Sequence, residues 1–262
     1  MKFSIITVNL NNAEGLKKTA ASIESQSHHD FEWIVIDGGS NDGSVEEISR
    51  YNAIITYMVS EKDSGIYNAM NKGIGKAKGE YLLFLNSGDC LAGDDVIEKV
   101  LSRKFEADII YGDLNLVKNG KNIETRKYDD VLSFYYIKRF SLPHPASFIR
   151  RNLLIERPYD ESYKIVADKK FFLEMALSGK SFQHIPLTIS CFDTSGISSQ
   201  FGDRVKKEEE RMIEETVPKC IIEDYSNGRL GSAIILRKNH KLFGKFVTFI
   251  IILMEKLDTI FK

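Results

Sequence analysis

Short apolar runs rich in β-branched residues recur through the first 112 residues, at 3–8, 31–37, 54–59, 80–85 and 107–111, with helical signals between them. Strands alternating with helices at this spacing build βαβ units, so the chain is confined to an α/β fold with a mostly parallel sheet flanked by helices. Helices are expected over 13–26, where Asn11 or Asn12 supplies a cap, and over 45–50, 66–77 and 94–103. The 262 residues, 43% hydrophobic and 28% charged, have the composition of a globular protein able to bury a substantial core.

After residue 112 the rhythm changes. Residues 114–117 and 122–126 read as a hairpin turning at Asn119-Gly120. A helix near 131–137, a strand at 146–150 after His144-Pro145, and a helix over 166–177 ended by Gly179 follow. Residues 181–192 read as extended chain broken by Pro186, and 204–215 as a charged helix. With no linker composition and no repeat, residues 1–200 are expected to form one domain, with 1–112 and 113–200 as its two halves. Residues 201–262 would be a helical extension.

Chemistry gathers at two strand ends. The run Gly79-Glu80-Tyr81-Leu82-Leu83-Phe84-Leu85 delivers Asn86-Ser87-Gly88-Asp89, and Asp37-Gly38-Gly39-Ser40-Asn41-Asp42-Gly43-Ser44 follows another apolar run. Ligands bind at the carboxyl ends of strands in α/β sheets, and a carboxylate there suits a hard cation that holds a phosphate. Together the two ends point to a nucleotide site, although each alone also fits a plain turn. A net charge of −1 argues against general nucleic-acid binding. Cys90, Cys191 and Cys220 form neither a disulfide framework nor a zinc pattern, which fits a reducing compartment. Asn9, Asn11 and Asn12 interrupt the first apolar run, so no signal peptide is read and a cytoplasmic location is expected.

Taken in order, the motifs resemble the inverting family 2 glycosyltransferases with the GT-A fold, a Rossmann-like nucleotide-diphospho-sugar transferase architecture. The resemblance is carried by Phe3-Ser4-Ile5-Ile6-Thr7-Val8-Asn9, by Trp33-Ile34-Val35-Ile36-Asp37-Gly38-Gly39-Ser40-Asn41-Asp42-Gly43, and by Ala69-Met70-Asn71-Lys72-Gly73 leading to Lys78-Gly79-Glu80-Tyr81. Leu85-Asn86-Ser87-Gly88-Asp89 and Val166-Ala167-Asp168 complete it, over roughly residues 3–192. Asp63-Ser64-Gly65-Ile66-Tyr67 and the Asn86–Asp89 variant are similar to a branch associated with bacterial surface polysaccharides, the colanic-acid-type transferases. The family's metal motif is Asp-x-Asp or Asp-x-Asp-Asp; here Asn86 and Gly88 replace two of its positions, and Asp89 alone brings a full charge. Met70 stands where many members carry a basic residue, leaving Lys72 or another base to supply that charge.

The resemblance implies a role for each of these residues. Asp37 would accept hydrogen bonds from uracil or ribose, with Thr7 and Asn9 lining the same crevice and Asp63, Tyr67 and Lys72 near the nucleotide. Asp89 would hold Mg²⁺ or Mn²⁺, helped by Asn86 directly or through a water. Asp168 would be the general base, and His144 would contact the diphosphate or the acceptor. Ser195-Gly196 would belong to a loop over the acceptor. Plainer readings stand beside these: a turn-stabilising Asp37, a capping Asp89, turn chemistry for Asp63 and Tyr67, a macrodipole partner in Asp168 and a structural His144.

The implied function is transfer of a sugar from a nucleotide-diphosphate donor, expected to be a UDP-sugar, to a glycan or lipid-linked acceptor with inversion, in bacterial polysaccharide biosynthesis. A sugar-nucleotide nucleotidyltransferase would call for a Gly-x-Gly-x-Arg-type loop after the first strand, and a dinucleotide-dependent oxidoreductase for Gly-x-Gly-x-x-Gly; Asn9-Leu10-Asn11-Asn12 is neither. A non-catalytic scaffold with the same fold is the remaining alternative. Near the C-terminus, Phe246-Val247-Thr248-Phe249-Ile250-Ile251-Ile252-Leu253-Met254 follows Arg237, Lys238, Lys241 and Lys245. The run is shorter than the roughly 20 residues that span a bilayer. Its basic flank suits a helix lying peripherally on the anionic inner leaflet; packing on the catalytic domain or on a second copy, as a homodimer, is the alternative.

Overall fold

The computed structural model describes residues 2–104, 106–134, 136–137, 141–194 and 202–226. Four parallel strands form the first half of the sheet: β1 (Phe3–Asn9), β2 (Phe31–Asp37), β3 (Tyr57–Ser60) and β4 (Tyr81–Phe84), in the order β3-β2-β1-β4. Nearly every residue of β1, β2 and β4 is buried. Such unbroken apolar runs are what a parallel sheet covered on both faces requires. The crossovers carry α1 (Ala13–Glu24), α2 (Ser44–Ser49) and α3 (Ile66–Lys76). Asn12 caps α1, its Oδ1 accepting from the Gly15 N–H at 3.1 Å. Because β1 and β2 pair in register from Phe3/Phe31 to Asn9/Asp37, their carboxyl ends finish side by side. β3 starts three residues later than the sequence suggests, because the N–H groups of Ile54 and Ile55 turn back to the Tyr51 carbonyl.

The second half mixes directions. Residues expected as a strand and a separate hairpin arm form one strand, β6 (Ile109–Lys118), which turns at Asn119-Gly120 into β7 (Lys121–Arg126). β8 (Ser147–Arg150) lies antiparallel between β4 and β6, and β9 (Phe182–Asp193) runs parallel to β6. A two-residue strand, β5 (Cys90–Leu91), pairs antiparallel with β9, giving the order β3-β2-β1-β4-β8-β6-β9-β5 with β7 on β6. Pro186 does not end β9: the register jumps from Tyr111/His184 to Asp113/Thr188, so the proline sits in a bulge where no ladder hydrogen bond is demanded of it. The helices α4 (Val96–Leu101), α5 (Arg151–Glu156) and α6 (Ala167–Leu177) follow β5, β8 and the 157–166 loop; α7 (Gly202–Thr216) and α8 (Lys219–Ser226) come after β9.

The chain divides into a compact unit from Met1 to Glu209 and a second from Glu210 to Lys262. Ser195-Gly196 and the basic, apolar segment after residue 226 lie outside the described residues. Among the described residues no helix is long and apolar enough to cross a membrane.

A buried carboxylate fastens the approach to β4. Glu32 on β2 accepts from the Ser4 hydroxyl and from the backbone N–H groups of Lys78 and Gly79. A Cβ on Gly79 would stand 2.6 Å from backbone atoms of Phe3 and Ser4, so the connection passes too close to β1 for any side chain. We expect Gly79→Ala to cost about 1–3 kcal/mol, the usual penalty for overpacking a tight core. In urea unfolding the midpoint should fall with little change in slope, and an unchanged midpoint would contradict this packing.

Candidate active site

The carboxyl end of β4 is linked to the start of α6 through His144, and four side chains there form one hydrogen-bonded chain. Asp168, in the first turn of α6, has Oδ2 2.9 Å from His144 Nδ1. Its Oδ1 accepts from the Tyr67 hydroxyl at 2.9 Å, while that hydroxyl also lies 2.6 Å from the Ile165 carbonyl oxygen. The other ring nitrogen of His144, Nε2, lies 3.2 Å from Asn86 Nδ2. With Nδ1–H donated to Asp168, Nε2 accepts from the Asn86 amide. A second proton on the ring turns Nε2 into a donor and requires the amide to turn over, so ring protonation and Asn86 orientation are linked.

Burial works against ionising Asp168, but the hydrogen bond and charge of His144, with help from Tyr67, hold its carboxyl below the usual range. It is therefore a carboxylate at neutral pH. Asp89 is the opposite case: only 4% exposed, it is pushed up to about 7 by burial, against the pull of His144. Its Oδ1 accepts from the Asp193 backbone N–H at 3.2 Å. The turn from Asn86 to Asp89 is held from behind by Thr19 of α1, whose hydroxyl lies 2.6 Å from the Asp89 carbonyl oxygen and accepts from the Gly88 N–H at 3.1 Å.

Four residues expected at the nucleotide have partners within the protein. Asp37 is 0% exposed and saturated by its own loop. One oxygen takes the N–H groups of Gly39 and Ser40 and the Ser60 hydroxyl; the other takes Asn9 Nδ2 and the Ser40 hydroxyl. Its carboxylate shapes the loop and has no lone pair left for uracil or ribose. Thr7 is turned into the core, where its hydroxyl accepts from the Trp33 indole at 2.9 Å. Tyr67, 5% exposed, lies beneath Asp168 instead of facing a nucleotide. Lys72 pairs with Glu61 at 2.7 Å and donates to the Lys62 carbonyl, bracing the loop that carries Asp63.

Asn9 and Asp63 remain at the crevice. Asn9 donates to Asp37 and Ser40, leaving a buried Oδ1 without a partner. Asp63 accepts the Gly65 N–H, and its Oδ2 stands 2.6 Å from where a Cβ of Gly38 would be. Leu10, 54% exposed, reaches within 3.2 Å of the same point. Sequence reasoning passed over Leu10; an exposed leucine just beyond a strand end was the available signal.

Among the described residues no three His, Cys, Asp or Glu side chains gather as a metal cluster. A thinner donor set does fit a hard cation shared with a ligand's phosphates. With the Asn86 amide donating to His144, its Oδ1 is buried and without a partner, and the second oxygen of Asp89 takes no hydrogen bond from the described residues.

The profile described as Glycosyl transferase family 2 matches residues 4–163, more than half of the chain. The chain belongs to that family. An uncharacterised glycosyltransferase of Mycobacterium tuberculosis is 34% identical over 222 residues, 76% of this chain and 80% of the relative. A PGL/p-HBAD biosynthesis glycosyltransferase of the same organism is 32% identical over 176 residues, 64% of this chain and 67% of the relative. Among solved structures, Staphylococcus aureus TarS in complex with UDP superposes with a TM-score of 0.62 at 21% identity, over 74% of this chain and 60% of TarS. That likeness carries the fold, a GT-A-type curled mixed sheet with flanking helices.

The Asp37 loop gives a pH-dependent expectation. Burial raises its carboxyl, but the Ser40, Ser60 and Asn9 hydrogen bonds outweigh this and leave it below 3.8. Stability from this lowered carboxyl is fully present above the unfolded value near 3.9 and is lost as pH falls through the folded one. Asp37→Asn should therefore cost about 1.5–3 kcal/mol at pH 7, with the gap to wild type narrowing at pH 3. Urea titrations at the two pH values measure it; a constant gap would contradict an ionised Asp37.

Proposed function

We propose that the chain transfers a sugar from a UDP-sugar to a hydroxyl of a glycan or lipid-linked acceptor with inversion, and that Asp168 is the general base. The observation that carries this reading is the Tyr67–Asp168–His144–Asn86 chain. It holds an ionised, oriented carboxylate beside the turn that would bear the donor's diphosphate. The acceptor oxygen attacks the anomeric carbon as Asp168 takes its proton, and the bond from that carbon to the diphosphate oxygen breaks. Tyr67 and His144 keep the carboxylate aimed, which is where orientation contributes to rate. Leu10, the Gly38 notch, Asp63 and Asn9 Oδ1 would receive the nucleoside. Asp89 and Asn86 would hold Mg²⁺ or Mn²⁺, which when bound neutralises charge on the departing diphosphate.

Two solved relatives of the fold support the donor class: TarS with UDP-GlcNAc, and a Pyrobaculum calidifontis mannosyltransferase with GDP-Man and Mn²⁺, TM-score 0.55. A Staphylococcus aureus poly(ribitol-phosphate) β-N-acetylglucosaminyltransferase, 25% identical over 69% of this chain, supports an envelope-polymer acceptor. The basic, apolar C-terminal sequence supports a lipid-linked acceptor at the inner membrane face.

Asp168→Asn keeps size and most hydrogen bonding but cannot accept the proton. Donor affinity should stay near wild type while turnover falls at least about 10²-fold. Calorimetry with UDP-GlcNAc and UDP, alongside donor-turnover assays, gives both numbers; wild-type turnover in the variant removes Asp168 from the chemistry.

A further inference from the structure

The β5–β9 pairing brings one more carboxylate to the Asn86–Asp89 turn. Cys90 pairs with Cys191 and Leu91 with Ser190, so two residues back from Cys90, and two on from Cys191, Gly88 faces Asp193. The spacing agrees: a Cβ on Gly88 would stand 3.9 Å from Cβ of Asp193. Asp193 Cβ therefore sits in van der Waals contact with the point from which a side chain at position 88 would start. Position 88 itself is closed to one, because its φ of +106° disfavours residues other than glycine. The Asp193 N–H on Asp89 Oδ1 fixes the residue to the turn. Two further oxygens belong to the same turn: Asn86 Oδ1 is buried and without a partner, and the second oxygen of Asp89 takes no hydrogen bond from the described residues. A pocket of about 280 Å³ opens over Ser87 and Gly88 of the turn, with Asn12, Glu14, Lys18 and Asp193 in its lining.

We infer that Asp193 supplies the second carboxylate of a divalent-cation site, delivering from β9 the charge that Asn86 and Gly88 leave out of the turn. The inference rests on the glycosyltransferase reading for the shared ligand, a nucleoside diphosphate. Mg²⁺ and Mn²⁺ take oxygen donors, and one or two carboxylates plus phosphates are their usual protein set. Lys18 Nζ lies 3.3 Å from Asp193 Oδ2 and balances that charge without a cation. When a cation takes over the carboxylate, the ammonium is released toward the pocket, where it can meet phosphate oxygens.

The test is a Mn²⁺ titration of the full-length chain with saturating UDP, followed by electron paramagnetic resonance. Asp193→Asn should weaken Mn²⁺ at least about 10-fold, the lower end of what losing even an outer partner of a metal costs. UDP affinity without metal should not fall, and rises to the extent that the freed Lys18 meets the phosphates. Lys18→Met should leave Mn²⁺ affinity equal or tighter, and Asn86→Asp should restore affinity in the Asp193→Asn background. Wild-type Mn²⁺ binding by Asp193→Asn, with Asp89→Asn defective, overturns the role of Asp193 alone. An equal loss in Lys18→Met and Asp193→Asn also overturns it, because the ion pair then suffices as the cause. Wild-type protein that binds UDP but no Mn²⁺ removes the cation site altogether, and failure to bind UDP removes the nucleotide reading.

Discussion

One part-buried imidazole joins the two halves of the site. His144 receives Asp168 from the start of α6 on one nitrogen and Asn86 from the end of β4 on the other. The ring stands where it does because residues 144–146 form a single helical turn leading directly into β8, which pairs with β4. The Ser147 hydroxyl closes that turn on the Pro143 carbonyl at 2.7 Å. Asp168 and the Asn86–Asp89 turn are thus tied together through a ring that the sheet positions. Away from bulk water such a chain of hydrogen bonds is stiff as well as strong, and losing any member leaves an unpaired polar group.

The parallel half was legible because each strand is an uninterrupted apolar run and each crossover begins or ends with recognisable chemistry, such as Asn12 capping α1. The hairpin was legible from its Asn119-Gly120 turn, whereas the continuity of β9 past Pro186 was not, because a bulge that spares the proline leaves no local signal. What escaped depends on orientation. A carboxylate at a strand end can face its own loop or a ligand, and only the arrival of the Ser40, Ser60 and Asn9 donors decides that Asp37 faces inward. Thr7 and Tyr67 escaped likewise, since their partners, Trp33 and Asp168, are distant in sequence.

Register was the other hidden quantity. A two-residue strand such as β5 leaves no periodic trace, yet its pairing with β9 brings Asp193 over Gly88. The departure from the Asp-x-Asp motif, read alone, suggests a weakened cation site. Seen with β9 in place, the turn has exchanged a side chain for backbone freedom, and a carboxylate of a neighbouring strand stands in the vacated position.

The antiparallel seat of β8 bears on how the chain assembles. β1 to β4 and their helices come from the first 84 residues, so the parallel half can gather largely from contacts of moderate sequence separation. The outer side of β4 receives its partner only when residues 147–150 arrive, after the whole of 85–146. During synthesis the N-terminal half therefore carries an open, wholly apolar strand edge for a long interval, the kind of surface that recruits other chains. The closing of that edge by β8 also seats His144, so the ring is in place before α6 arrives with Asp168.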